Sequence, residues 1–182
     1  MTLKETFSKY TLTQGQNSLL DELERFLCDN STCFLLKGYA GTGKTFMMKG
    51  LTDFLTETKR SFRIAAPTGR AAKVISQKTK RKAYTIHKTI YSSKDLKEFK
   101  VKDEDGTETF KFYYELKNNE DPNNTIYIID EASMLSNVYS EGEFFRFGSG
   151  YLLKDLINYI NFDNNDHNKK IIFIGDTHSC HL

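Results

Sequence analysis

The sequence predicts an α/β fold, a parallel sheet with helices on both faces and an inserted β-hairpin, on three observations. Short apolar runs around Phe34, Ile64, Ile128 and Ile172 alternate with stretches of helical period. Strands separated by helices pair in parallel and are covered on both faces, so they read as continuous apolar runs. A glycine-rich turn, Gly38 to Thr45, joins the first such run to the helix after it. Between Phe99 and Tyr114 the period changes to two, with Phe110, Phe112 and Tyr114 alternating against Lys111 and Tyr113.

Taken in order, Thr13 to Leu27 is an amphipathic helix with Leu19, Leu20, Leu23, Phe26 and Leu27 on one face. The strand Cys33-Phe34-Leu35-Leu36 follows, then a helix carrying Phe46, Met47, Leu51, Phe54 and Leu55. Phe62, Ile64 and Ala66 make a second strand that stops at Pro67, because a proline disfavours helix in the residue before it. Arg70 to Ser76 suits a helix, and Thr85 to Tyr91 a short apolar one. Asp105-Gly106 supplies the turn of the hairpin, residues 96–116, which reads as an insertion into the β/α order. Beyond the strand Ile126 to Ile129, Phe144 to Gly150 is a Gly- and aromatic-rich connection. Leu152, Leu153, Leu156, Ile157 and Ile160 mark a helix, Asn161 to Lys170 a polar loop, and Ile171 to Ile174 a last buried strand.

At 182 residues the chain suits one domain with a proper core, and 38% hydrophobic against 27% charged residues excludes a disordered protein. No apolar run is long enough to cross a bilayer, and the N-terminus lacks a secretory core. Three cysteines, Cys28, Cys33 and Cys180, are too few and odd for a disulfide framework, which points to a reducing cytoplasm. Net charge is only +2, yet Lys73, Lys78, Lys80, Arg81, Lys82 and Lys88 crowd one stretch, a solvated face or a nucleic-acid contact. Asp103-Glu104-Asp105-Gly106 has the wrong spacing for a calcium loop.

Gly38-Tyr39-Ala40-Gly41-Thr42-Gly43-Lys44-Thr45 fits the pattern G-x-x-x-x-G-K-[ST] between a strand and a helix. Its glycines let successive N–H groups and the helix N-terminus face a polyphosphate. Lys44 then reaches the β- and γ-phosphates of a nucleoside triphosphate, and the Thr45 hydroxyl sits on Mg²⁺. Asp130 and Glu131 follow a buried strand at its carboxyl end, where open α/β sheets bind ligands. The first carboxylate can hold Mg²⁺ through water, and the second can orient or deprotonate an attacking water, which favours hydrolysis over mere binding.

Six segments in order resemble the first motor domain of superfamily 1 DNA helicases of the RecD/Dda type, a RecA-like P-loop domain. Leu12-Thr13-Gln14-Gly15-Gln16 is similar to the Q motif, which implies that Gln16 contacts adenine; Thr13 and Gln16 equally form a T-x-x-Q capping box. Gly38 to Thr45 resembles motif I, Ala65-Ala66-Pro67-Thr68-Gly69-Arg70-Ala71-Ala72 motif Ia, and Thr85-Ile86-His87 motif Ib. Asp130-Glu131-Ala132-Ser133-Met134 resembles motif II, and Gly175-Asp176 the start of motif III. The resemblance runs from residue 12 to 176. It implies ATP and Mg²⁺ as ligands, with Lys44, Asp130 and Glu131 catalytic and Asp176 beside the nucleotide. It also implies a single-stranded DNA channel lined by Pro67, Thr68, Gly69, Arg70, Thr85 and His87. Each of these has a plainer structural reading, as a strand-to-helix turn or a residue at a helix start.

The likeness breaks after Asp176. The family continues G-D-x-x-Q-L-P-P, whereas this chain reads Thr177-His178-Ser179-Cys180-His181-Leu182, with Ser179 where the γ-phosphate-sensing Gln belongs. His178, Cys180 and His181 are metal-ligand types without a fixed geometry. The family's second motor domain, with its arginine, has no counterpart, so the expectation is one RecA-like domain over residues 1–182. It would be weakly active alone, and a second chain could supply the missing domain. The competing readings are a non-enzymatic, nucleotide-dependent single-strand-binding module or inactive remnant, and a ring-forming ATPase, for which no sensor arginine or lid is visible.

Overall fold

The computed structural model describes residues 2–102, 105–162 and 168–176, apart from one side chain at position 95. In chain order these form α1 (Leu3–Thr6), α2 (Gln14–Cys28), β1 (Cys33–Lys37), α3 (Lys44–Glu57), β2 (Phe62–Ala66), α4 (Gly69–Thr79), β3 (Ala83–Thr85) and α5 (Ile86–Ile90). Then come β4 (Tyr91–Lys102), β5 (Glu108–Leu116), β6 (Ile126–Ile129), a 3-10 turn (Ala132–Met134), β7 (Phe145–Phe147), α6 (Leu152–Ile160) and β8 (Lys170–Gly175).

Five strands pair in parallel in the order β1-β8-β6-β2-β3. Because side chains alternate across a strand, each strand feeds two cores. Leu36, Ile64, Ile126, Ile128, Ile172 and Ile174 meet the buried residues of α1 to α4 on one face. Ala65, Tyr127, Ile129, Ile171 and Phe173 meet those of α5 and α6 on the other. The α/β class and its two-sided helical cover are therefore as the apolar runs predict.

A second sheet, β4-β5-β7, stands beside the first. Its β4 and β5 are the antiparallel strands of the alternating segment, with Gly106 at φ +84° in the turn between them. Besides α1 and β3, which the sequence pattern does not predict, several features depart from expectation. β4 begins at Tyr91, directly after α5, with an irregular register between Tyr91 and Leu96. The segment read as a connection contains β7, which pairs in parallel with β5 through Phe112 and Phe145. Both cysteines among the described residues are exposed free thiols, although Cys33 opens an apolar run, because β1 is an edge strand.

Two contacts fix the ends of the nucleotide-side core. Phe7, 2% exposed, lies so close to α3 that a Cβ on Gly50 would fall 1.9 Å from its ring. This is why a four-residue α1 holds its place. Lys170 is buried at the start of β8, where Nζ donates to Asp29 O (2.7 Å) and Ser31 O (2.6 Å) and stands over the Phe26 ring. It ties the α2–β1 turn to the strand that follows in the sheet. Asp103 and Glu104 lie outside the described residues, as do residues 163–167 of the polar loop and Thr177 to Leu182 with Ser179, His178, Cys180 and His181.

Candidate nucleotide site and nucleic-acid edge

The register brings the carboxyl ends of all five strands to one edge. Lys37 lies opposite Gly175, Ile129 opposite Ala65 and Phe173, and Ala66 opposite Thr85. The residues just past these ends are the P-loop, Asp176, Asp130-Glu131, Pro67 to Arg70 and Ile86-His87. Apart from Gln16, on α2, the sequence-predicted site residues thus share one edge although they are scattered from position 38 to 176.

The P-loop takes its shape from glycines that no other residue replaces freely. Gly41 and Gly43 have φ of +82° and +91°, the left-handed region that L side chains avoid. A Cβ on Gly38 would stand 2.8 Å from Thr42 Oγ1, and one on Gly43 2.9 Å from Gln16 Nε2. Gly43 precedes α3 without a side-chain cap, so the first-turn N–H groups of a 14-residue helix have no side-chain acceptor there. Lys44 Nζ donates to Gly38 O (2.7 Å), Tyr39 O (2.9 Å) and Asp176 Oδ1 (2.6 Å). Reaching a phosphate therefore means exchanging one of these acceptors for a phosphate oxygen.

Gln16 resolves the conflict between its two readings by dividing its amide. Oε1 accepts from Thr13 N (3.0 Å), while Thr13 Oγ1 accepts from Gln16 N (3.2 Å), completing the capping box. Nε2 points at the P-loop beside Gly43. The capping box is present, and it leaves Nε2 on the P-loop side of the amide. A recess of about 380 Å³ lies between them, lined by Thr13, Gln16, Gly38, Tyr39, Thr42 and Lys44 among others, with the Tyr39 side chain 59% exposed at its side.

Asp130 follows β6, its N–H donating to Ala65 O (2.9 Å). Burial pushes its carboxyl above the ordinary value, and the Glu131 charge adds to this, while Lys44 and Lys78 oppose it. Glu131 is exposed at φ +54°, a strained conformation for a non-glycine residue and one that clusters at functional sites. The donor set fits a hard divalent cation: a hydroxyl at Thr45 and a desolvated carboxyl at Asp130, whose charged form a cation would favour.

At the other end of the same edge, Thr68 Oγ1 accepts from Ala71 N (3.2 Å) and Thr85 Oγ1 from Lys88 N (3.1 Å). Both hydroxyls cap helices and keep their own protons for donation. Arg70 is exposed and forms no salt bridge among the described residues. His87 packs against Phe147 (5.0 Å between centroids) and Tyr91 (5.6 Å), and burial holds its imidazole below the ordinary value, favouring the neutral ring. Beside it opens a recess of about 350 Å³ lined by Tyr91, Phe145 and Phe147. Sequence reasoning missed these aromatic neighbours; the run Phe144 to Phe147 was the available signal.

The His87 platform rests on a buried carboxylate. Asp155, 3% exposed, accepts from Tyr91 Oη (2.7 Å) and Ser149 N (2.9 Å), and its charge adds to burial in pushing the Tyr91 phenol up. Gly148 sits at φ +51°, and a Cβ there would stand 2.0 Å from Asp155 Oδ2 and 2.7 Å from Tyr91 Cε1. Gly148→Ala is expected to destabilise the fold by roughly 2–4 kcal/mol, from the broken network and the positive φ. Thermal unfolding should shift down by about 5–15 °C. An unchanged midpoint would show that the network is not rigid.

The basic stretch does not act as one face. Lys78 is near Asp130, Arg81 pairs with Asp53 (3.0 Å), and Lys82 and Lys88 line a different recess, away from the P-loop.

A parallel sheet with a P-loop after its edge strand and an acidic pair after a central one defines a P-loop nucleoside-triphosphate-binding domain. The chain belongs to the AAA domain family, whose sequence profile matches residues 11–141. No curated protein matches it in sequence. Among solved structures it is similar to the Pif1 helicase from Candida albicans, with a TM-score of 0.51 at 15% identity, over 92% of this chain and 33% of that one. It therefore spans about a third of that protein's length, and the P-loop α/β fold with a parallel sheet implied by the six segments is the fold it has. No helix among the described residues is long and apolar enough to cross a membrane.

Proposed function

We propose that residues 1–182 are the ATP-binding and ATP-hydrolysing motor domain of a DNA helicase, with a hairpin insertion at 96–116, coupling Mg·ATP to single-stranded DNA. The observation that supports this reading is the shared edge: the P-loop, the acidic pair and the Pro67–Arg70 and Thr85–His87 segments stand at the carboxyl ends of strands of one parallel sheet. The glycine backbone and the α3 N-terminus cradle the phosphates, Lys44 exchanges Asp176 for a phosphate oxygen, and Gln16 Nε2 with Tyr39 faces the base. Thr45 and Asp130 hold Mg²⁺, which when bound neutralises charge developing on the phosphates. Glu131 orients the attacking water and takes up its proton. An arginine supplied by a second motor domain would raise the rate of hydrolysis by about 10³–10⁵. The exposed thiols of Cys28 and Cys33 suit a reducing cytoplasm.

The nucleic-acid half of the proposal is tested by salt dependence. Arg70→Ala should flatten the log–log salt slope for single-stranded DNA by about 0.7, one phosphate's worth, and leave Mg·ATP affinity unchanged. Lys80→Ala should leave the slope as it is. Equal slopes for the two variants would reject the channel.

A further inference from the structure

A recess of about 660 Å³, larger than the one beside the P-loop, opens against the first half of β2 and the outer strand β3. The nucleotide site lies past the opposite, carboxyl ends of these strands. Lys82, Lys88 and Lys117 line the recess, and none of them forms a salt bridge among the described residues. Lys117 Nζ donates to two main-chain carbonyls, Lys88 O (2.6 Å) and Thr89 O (3.3 Å), so its charge has no carboxylate against it. Lys88 Nζ stands 4.7 Å from the centroid of Tyr84, which is 40% exposed on the outer strand. Of the two carboxylates nearby, Asp121 is already engaged by Arg63 and by the Tyr127 hydroxyl (3.0 Å), which leaves Glu120. The chain as a whole carries only +2, so this concentration of unneutralised ammonium groups is local.

Ammonium groups interleaved with an exposed aromatic ring, in a recess of nucleotide size, are the chemistry of a polyanion that carries flat bases. Two of its lining residues, Lys88 and Thr89, directly follow His87 on α5, and Tyr84 precedes Thr85 on β3, so the recess and the strand-binding edge draw on the same short elements. β2 spans about 13 Å from its first residue to its last, a distance of a few nucleotides. We propose that this recess is a second nucleic-acid contact, in which Lys82, Lys88 and Lys117 hold phosphodiesters of a single strand running from the Pro67–His87 edge along the outer side of β3, beside Tyr84. The proposal rests on the strand-binding reading above but adds a site that reading does not need.

The test uses the whole chain and an oligothymidylate of about 16 nucleotides. Lys82 and Lys88 are exposed, so the double variant Lys82→Ala/Lys88→Ala should retain the parent's melting midpoint. Its salt slope should fall by about 1.4, two single-strand phosphates, additively with the change caused by Arg70→Ala. Tyr84→Ala should weaken binding at fixed salt by at least about fivefold. If Arg70→Ala flattens the slope and the double lysine variant does not, this second contact is overturned while the channel stands. If neither changes it, both are overturned. Binding of free AMP that survives Lys44→Ala but is lost in the double lysine variant would make the recess a mononucleotide site and overturn the proposal.

Discussion

Replacing Lys44 by alanine is expected to weaken Mg·ATP binding by about ten- to a hundredfold, the effect of losing a charge-assisted phosphate contact. The substitution acts twice. It removes the cation that meets the phosphates, and it leaves Asp176, 2.6 Å from Nζ in the parent, facing the same space with an unpaired charge. Asp176→Asn separates these terms, because it frees Lys44 from a competing carboxylate while retaining the cation. Calorimetric titration of the three proteins should rank Asp176→Asn at or above the parent and Lys44→Ala far below it. Equal affinity for Lys44→Ala and the parent would place the nucleotide elsewhere.

The second large effect is on turnover. Glu131→Gln keeps the shape of the side chain and removes its basicity, so single-turnover phosphate release should fall by at least about a hundredfold. Mg·ATP affinity should stay near the parental value, since Thr45, Asp130 and the P-loop are untouched. The left-handed backbone at Glu131, φ +54°, is an unusual conformation for a non-glycine residue, of the kind that clusters at functional sites, and it supports this assignment. Undiminished phosphate release in Glu131→Gln would assign the base to another group.

Much of this site was legible because its chemistry is local in sequence. The P-loop is eight consecutive residues between a strand and a helix, and Asp130-Glu131 directly follow four fully buried apolar residues. The parallel sheet was legible for the same reason, through runs too apolar to have a wet face. What escaped depends on distant partners. β7 is three residues long and exists because Phe145 and Phe147 stack on Phe112 and Tyr114 of β5. β3 is equally short and sits inside the basic stretch, where its pairing with Ile64 to Ala66 leaves no periodic trace. α1 depends on the space that Gly50 leaves for Phe7. The directions taken by the basic stretch escaped for a related reason: a count of lysines carries no direction, and at the αL turn of Lys80 the chain passes from Lys78, near Asp130, to Lys82 and Lys88, which line another recess.

Gln16 shows a limit of another kind. A capping box and an adenine contact compete when the side chain is treated as one group, yet the amide has an acceptor at one atom and donors at the other. Only the placement of Oε1 on Thr13 N and of Nε2 beside Gly43 shows that the two uses are compatible.

The central claim, that nucleotide and strand share one edge and are coupled through it, is tested most directly by one pair of titrations on the unmodified chain. Oligothymidylate affinity is measured with and without a saturating non-hydrolysable Mg·ATP analogue at the same ionic strength. Coupling of the usual size changes the affinity by about fivefold or more, and by linkage the oligonucleotide changes nucleotide affinity by the same factor. Identical oligonucleotide affinities in the two titrations would contradict the claim.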